Sequence, residues 1–261
     1  FELERGMRDA LRNGEFVLFY QPKIEFASGN MLGVEALIRW AHPQLGLIGP
    51  DRFVPIAESN NFIVPLGRWV IEQACRQAGA WRQAGLPRFP IAVNLSVNQL
   101  ADPALVDFVA TTLRTSGAEP AMIEFEITET ALMTNMADTV PMLEALRGLG
   151  VRLAVDDFGT GYSSLCYLKE LPVDVLKIDR AFVRHLPHSR DDLAITRAVI
   201  AMAHALSMKV VAEGVEARPQ FDSLHAEGCD QFQGFYCRPA LPGGDLEELV
   251  RRHGLVIPSR D

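Results

Sequence analysis

The sequence has no run of apolar residues approaching the ~20 that a membrane-spanning helix needs, and its start, FELERGMRDAL, is charged and amphipathic, unlike a secretory leader. A cytoplasmic domain is the expectation, although the same domain could sit in a membrane-anchored longer protein. Cysteine is scarce: Cys75, Cys166, Cys229 and Cys237 form no CxxC pair and are too few to staple 261 residues. They read as reduced, buried thiols. Positive charge is short as well, 25 Lys+Arg against 33 Asp+Glu for a net of −8. That argues against a nucleic-acid polymer as partner, because phosphate binding needs a basic face. The six histidines show no ligand spacing, which argues against structural zinc, and His42 in AHPQLG reads as a loop residue.

What is present is a composition 48% hydrophobic and 22% charged, sufficient for a large core, with no Pro/Ser-rich linker or low-complexity tract. One α/β domain over residues 1–261 is expected. The start at Phe1, partway along a helical pattern, suggests a domain excised from a longer polypeptide. Candidate strands are Phe16 to Ile24, Met31 to Trp40, Pro90 to Ser96, Met122 to Thr128, Arg152 to Asp157, Val173 to Asp179, Lys209 to Glu213 and Cys229 to Gln233. Helix-period segments lie between them: Leu66 to Gln83, Ala104 to Ser116, Asp138 to Leu149, Leu193 to Leu206 and Arg218 to Glu227. The turn formers of FASGN make the first two strands an antiparallel hairpin. The later alternation calls for parallel strands, hence a (β/α)₈ barrel with an irregular first hairpin, or alternatively a doubly wound open sheet.

Strand after strand turns polar at its C-terminal end, the catalytic edge of a barrel. Asn94, Glu126, Glu129, Asp156, Asp157, Lys177, Asp179, Glu213 and Gln233 occupy such positions, and VEALIRW adds Glu35 and Arg39. One carboxylate at a strand end is usually a helix cap. Five crowded into one mouth, Glu35, Glu126, Asp156, Asp157 and Glu213, need cations. An all-oxygen set suits Mg²⁺ or Mn²⁺. The adjacent Asp156 and Asp157 suggest one carboxylate bridging two metals, the usual apparatus for attack of water on a phosphodiester. Lys177 could hold that water, balance charge, or merely pair with the acids. Enolase-type chemistry uses a similar parts list and stays open at this point.

YQPK at Tyr20 to Lys23, EALIRW at Glu35 to Trp40, NLS at Asn94 to Ser96, EITET at Glu126 to Thr130, DDFGTGYSSL at Asp156 to Leu165, LKIDRAFV at Leu176 to Val183, AEGVE at Ala212 to Glu216 and QGFY at Gln233 to Tyr236 together resemble the EAL-domain family of bacterial cyclic di-GMP phosphodiesterases. The resemblance implies a modified TIM (β/α)₈ barrel with one antiparallel strand. It also implies hydrolysis of one phosphodiester bond of cyclic di-GMP to linear pGpG with two Mg²⁺ or Mn²⁺ ions per site. Carried over by position, Glu35, Asn94, Glu126 and Asp156 match ligands of a first ion. Asp156 bridges to a second ion held by Asp157, with Glu213 as ligand or general base. Lys177 matches a water-holding lysine and Gln233 a glutamine at the metal and water site. Gln21 and Arg39 match nucleotide contacts, while Glu129, Asp179 and Glu216 match acidic positions that support the site or its loops.

The family also implies a homodimer through the loop after Asp157 and the helix that follows, and covalently linked regulatory domains. An inactive receptor that binds the nucleotide without turnover is the alternative. Phe235 stands where relatives often carry Tyr, a departure that touches base contacts and no metal ligand. Glu124 shares strand parity with Glu126 and is aimed into the barrel, with Arg152 as its expected partner. Trp40, Trp69 and Trp81 read as core, as does the stripe Val70, Ala74, Gln77 and Trp81.

Overall fold

The computed structural model describes residues 2–159 and 168–257. Strand β1 (Phe16–Glu25) pairs antiparallel with β2 (Met31–His42) across the turn that Gly29 makes at φ 71°. The chain then adds β3 (Gly46–Ile48), β4 (Ile91–Leu95), β5 (Ile123–Thr128), β6 (Arg152–Phe158), β7 (Val175–Ile178), β8 (Lys209–Ala212), β9 (Gln231–Phe232) and β10 (Leu241–Pro242). From β2 through β4 to β9 each neighbouring pair is parallel, and β9 returns to β1. The sheet thus closes into an eight-stranded barrel in which β1 runs antiparallel to both of its neighbours. The expected barrel with one reversed strand is the observed fold, and the open sheet is set aside. β3 and β10 extend the wall at β2 and β1.

The five predicted helices are present as Ile63–Gln83, Leu105–Ser116, Met136–Gly148, Arg190–Ala205 and Arg218–Ala226. Each lays an apolar stripe on the wall: in the first, Leu66, Val70, Ile71, Ala74, Cys75, Ala78 and Trp81 are buried. Helices Pro50–Ser59 and Gly243–His253 went unread in the sequence. Helix Glu2–Asn13 buries Met7 and Ala10 against Phe16, Trp40 and Phe53. Cys75, Cys229 and Cys237 are buried free thiols, whereas Cys166 lies outside the described residues. His42 is the last residue of β2, and its Nδ1 accepts from the backbone of Gln44 and Leu45, so it caps a turn from a strand end instead of lying in the loop. Among the described residues no helix is long and apolar enough to cross a membrane.

The wall has one thin place that bears on the site. β10 pairs with Phe19 and Tyr20 and β9 with Ile24 and Glu25, so among the described pairings residues 21–23 are bonded on the β2 side. Pro22, which has no N–H to offer, sits in that gap. Gln21 uses the gap to donate its side-chain N–H to the carbonyl of Arg238 at 3.1 Å.

Barrel interiors are ordinarily filled by layers of branched aliphatic side chains. Here Ala154, Val175 and Val211 form only a small apolar cluster inside. Register places Glu124 beside Ala92, Glu126 beside Asn94 and Ala154, and Lys177 beside Val211, all on the inner face. The interior is therefore largely ionic, with Lys23, Glu124, Glu126 and Lys177 all buried.

Candidate active site

Lys177 is 0% exposed and stands at the centre of the mouth. Its Nζ lies 2.6 Å from Glu213, 2.7 Å from Glu126, 3.1 Å from Asp156 and 3.7 Å from Glu35. Those residues arrive from β8's end, β5, β6 and β2, so the predicted convergence of strand ends is present. Burial alone would lower the Lys177 ammonium, but Asp156, Glu126, Glu213 and Glu35 hold it well above the ordinary lysine value. For Glu126 the balance tips the other way. Burial would raise its carboxyl, yet the ammoniums of Lys177 and Lys23 bring it down to about 2. Glu213 is pushed up to about 8 by burial, and Asp156, Glu35 and Glu126 add to the rise against the pull of Lys177. Burial likewise raises Glu35.

Glu35 is held from two sides. Its Oε1 accepts from Asn94 Nδ2 at 2.8 Å, and its Oε2 accepts from Gln233 Nε2 at 2.7 Å. The same Gln233 nitrogen donates to Gln21 Oε1 at 3.0 Å. Gln233 is presented by Gly234, where any Cβ would come within 2.1 Å of the Val215 carbonyl. Only glycine allows that approach, which the bonds Val215 N to Gln233 O and Tyr236 N to Val215 O then fasten.

Strand alternation would send Asp156 and Asp157 to opposite faces. An irregularity in the β6–β7 register between Val155 and Phe158, with Asp157 at φ 53°, removes that conflict. As a result Asp156, Asp157 and Glu213 offer carboxylate oxygens within 4.8 Å of one another. Such an all-oxygen cluster fits a hard divalent cation. Burial first, then Asp156 and a hydrogen bond with Asp179, raise Asp157 to about 6.

The other predicted positions spread around this centre. Glu129 is buried behind it and accepts from the Gly159 backbone N–H at 3.0 Å. Asp179 caps helix Arg180–Val183 through Ala181 N. Glu216 is exposed on the rim. Arg39 stands two residues beyond Leu37 on β2, half-buried over the Phe19 ring at 5.9 Å, and does not line the mouth cleft. That cleft, about 290 Å³, is lined by Gln21, Glu35, Asp156, Glu213, Gln233 and Phe235 among others. Arg180 also lines it, a cation the sequence reading passed over. Its place directly after Asp179 in LKID-R was the available signal. The segment after Gly159, on which the dimer expectation rests, lies outside the described residues.

The expected Glu124–Arg152 pair is not formed. Arg152 is exposed, and Glu124 instead accepts from Lys23 Nζ at 2.6 Å. The reason is geometric: β1 lies three strands from β5 around the closed barrel, so the Lys23 side chain reaches Glu124 across the interior, whereas Arg152 on the adjacent strand is exposed. Lys23 shares parity with Gln21 in YQPK, a signal that gives its face and not its partner.

The EAL domain family model matches residues 4–240. The cyclic di-GMP phosphodiesterase NbdA of Pseudomonas aeruginosa is 46% identical over 97% of this chain and 32% of its own length. The bifunctional diguanylate cyclase/cyclic di-GMP phosphodiesterase MucR of the same organism is 45% identical over 94% of this chain and 36% of its own. The chain thus spans about a third of the length of these curated relatives. The solved PaMucR phosphodiesterase in complex with c-di-GMP superposes with a TM-score of 0.90 at 45% identity, covering 94% of this chain and 100% of that one. The EAL domain of Mycobacterium smegmatis DcpA gives 0.79 at 37% identity, covering 91% and 98%. This chain belongs to the EAL domain family.

Proposed function

We propose that this domain hydrolyses one phosphodiester bond of cyclic di-GMP to linear pGpG, acting as the output domain of a longer cytoplasmic or membrane-anchored signalling protein. The observation that carries the reading is the carboxylate cluster of Asp156, Asp157 and Glu213 beside the buried Lys177 ammonium, at the mouth of a barrel so similar to a phosphodiesterase solved with c-di-GMP.

In this reading Glu35, Asn94, Glu126 and Asp156 would hold a first divalent ion, and Asp157 together with Asp156 would hold a second, with Glu213 as ligand or base. Two Mg²⁺ or Mn²⁺ ions, when bound, supply the charge stabilisation for in-line attack of water on phosphorus. Lys177 keeps an ammonium aimed at the water and at the charge that develops on the phosphoryl oxygens. Gln233, already fixed by Glu35 and Gln21, positions the water side of the cleft. Gln21 and Arg39 take the nucleotide and its phosphate, and Phe235, 59% exposed, offers an apolar ring face to a base. Glu129, Asp179 and Glu216 hold the surrounding loops.

Electrostatics support the assignment of local cations. The substrate is a dianion and the chain carries −8, so the ions together with Arg39, Lys177 and Arg180 must reverse the field at the mouth. Retention of every acidic position, the lysine and the glutamine favours turnover over a receptor role. We place a homodimer contact at the segment following Asp157, which sedimentation of the purified domain tests. Incubation with cyclic di-GMP and Mg²⁺ or Mn²⁺, with EDTA as control and chromatography of products, tests the activity. Metal-dependent pGpG is expected; tight binding without product would assign the receptor role.

A further inference from the structure

Glu126 is the deepest acid of the mouth, and both of its oxygens are taken. Oε2 accepts from Lys177 at 2.7 Å, whereas Oε1 accepts from Lys23 at 2.6 Å. Lys23 in turn donates to Glu124 Oε1 at 2.6 Å. The side chains of Lys23, Glu124, Glu126 and Lys177 are 4%, 5%, 0% and 0% exposed, so the column Glu124, Lys23, Glu126, Lys177 alternates in sign through a buried interior. Two positive and two negative groups cancel within it. The acids left over at the mouth are Glu35, Asp156, Asp157, Glu213 and Glu216, which line the cleft or join the cation cluster.

Lys23 does not line the mouth cleft. It lines a cavity at the opposite, N-terminal end of the strands, together with Glu124, Arg88, Arg147 and Arg152. Its hydrogen bond to the mouth acids is the one to Glu126. With Oε1 tied from beneath, the Glu126 carboxylate cannot swing to give both oxygens to Lys177, and Oε2 stays on the side of Asp156 and Glu213. We propose that Lys23 is a positioning residue that fixes the orientation of the Glu126 carboxylate and thereby sets the cation affinity of the mouth. This assignment rests on the metal-dependent reading above.

The test compares wild type with Glu124→Gln and with the charge-balanced double variant Lys23→Met/Glu124→Gln, each made metal-free. Thermal melting reports folding, calorimetric titration with Mn²⁺ reports cation affinity, and steady-state kinetics with cyclic di-GMP report kcat and KM. Glu124→Gln leaves Lys23 bonded to Glu126, and its Mn²⁺ affinity is expected within about threefold of wild type. In the double variant affinity and kcat fall by the ~10- to 100-fold that loss of an outer partner of a metal ligand costs, with KM nearly unchanged. A folded double variant whose Mn²⁺ affinity and kcat match wild type overturns the proposal. So does a double variant that fails to fold while Glu124→Gln folds, since Lys23 is then a structural staple. If wild type itself neither binds Mn²⁺ nor turns over substrate, the functional reading fails instead.

Discussion

The backbone N–H of Asp157 donates to Oδ1 of Asp156 at 2.9 Å, and Asp157 itself occupies the left-handed region at φ 53°. This one distortion turns two neighbouring residues toward the same mouth. Asn tolerates that region almost as well as Asp, while a β-branched residue does not. Asp157→Asn should therefore keep the wild-type melting temperature and lose Mn²⁺ affinity by at least the ~10-fold that weaker outer-shell changes cost. Asp157→Val should in addition lose about 1–2 kcal/mol of stability from the backbone alone. Melting and calorimetry on the two variants separate the effects.

Glu129 fastens the chain where it leaves β6. Its bond to Gly159 N is charge-assisted and sits at a residue 2% exposed. Glu129→Ala should cost about 1.5–3 kcal/mol, the range for hydrogen bonds to charged groups. The same substitution should speed amide exchange at Gly159 while leaving the amides of Ile123–Thr128 protected. Unchanged exchange at Gly159 would mean that the carboxylate does not anchor this segment.

Lys177 stands among four carboxylates: Glu35, Glu126, Asp156 and Glu213. Lys177→Met removes the ammonium that balances them, which in a buried network costs about 3–5 kcal/mol. Metal-free variant should melt lower than wild type, and Mn²⁺ should recover more of that loss than it adds to wild type. Its Mn²⁺ affinity should be equal or tighter, with kcat down by ~10²- to 10³-fold. Equal losses in affinity and rate would refute the water-holding role.

Glu35→Ala frees two donors, each of which has somewhere to go. Asn94 is exposed to solvent, and Gln233 keeps its bond to Gln21. The variant should fold with a melting temperature close to that of wild type and lose turnover. Unfolding would mean that Glu35 is a structural member of the interior and not a functional one.

Much of this is legible in the sequence alone. The barrel followed from eight strands alternating with helices after a first hairpin, and observed strands such as Ile91–Leu95 and Arg152–Phe158 fall within a residue or two of the expected ones. Helix Pro50–Ser59 was not legible because its internal Pro55 contradicts a helical reading, although proline at its first turn is a helix start. Asp156 and Asp157 could be read as a pair, but not the β6 irregularity that makes them converge. Lys23 was missed, and Glu124 given the wrong partner, for one reason: parity says which face a side chain takes, whereas a contact across a closed barrel, 101 residues apart in sequence, depends on where the wall closes.

The most direct test of the central claim is to run the reaction with cyclic di-GMP and Mn²⁺ in ¹⁸O-enriched water and weigh the product. Attack of water on a single phosphodiester predicts linear pGpG carrying one ¹⁸O in its terminal phosphate, and no product once EDTA is added. Product formed without incorporated ¹⁸O, or no product from a folded protein that binds the nucleotide, would contradict it.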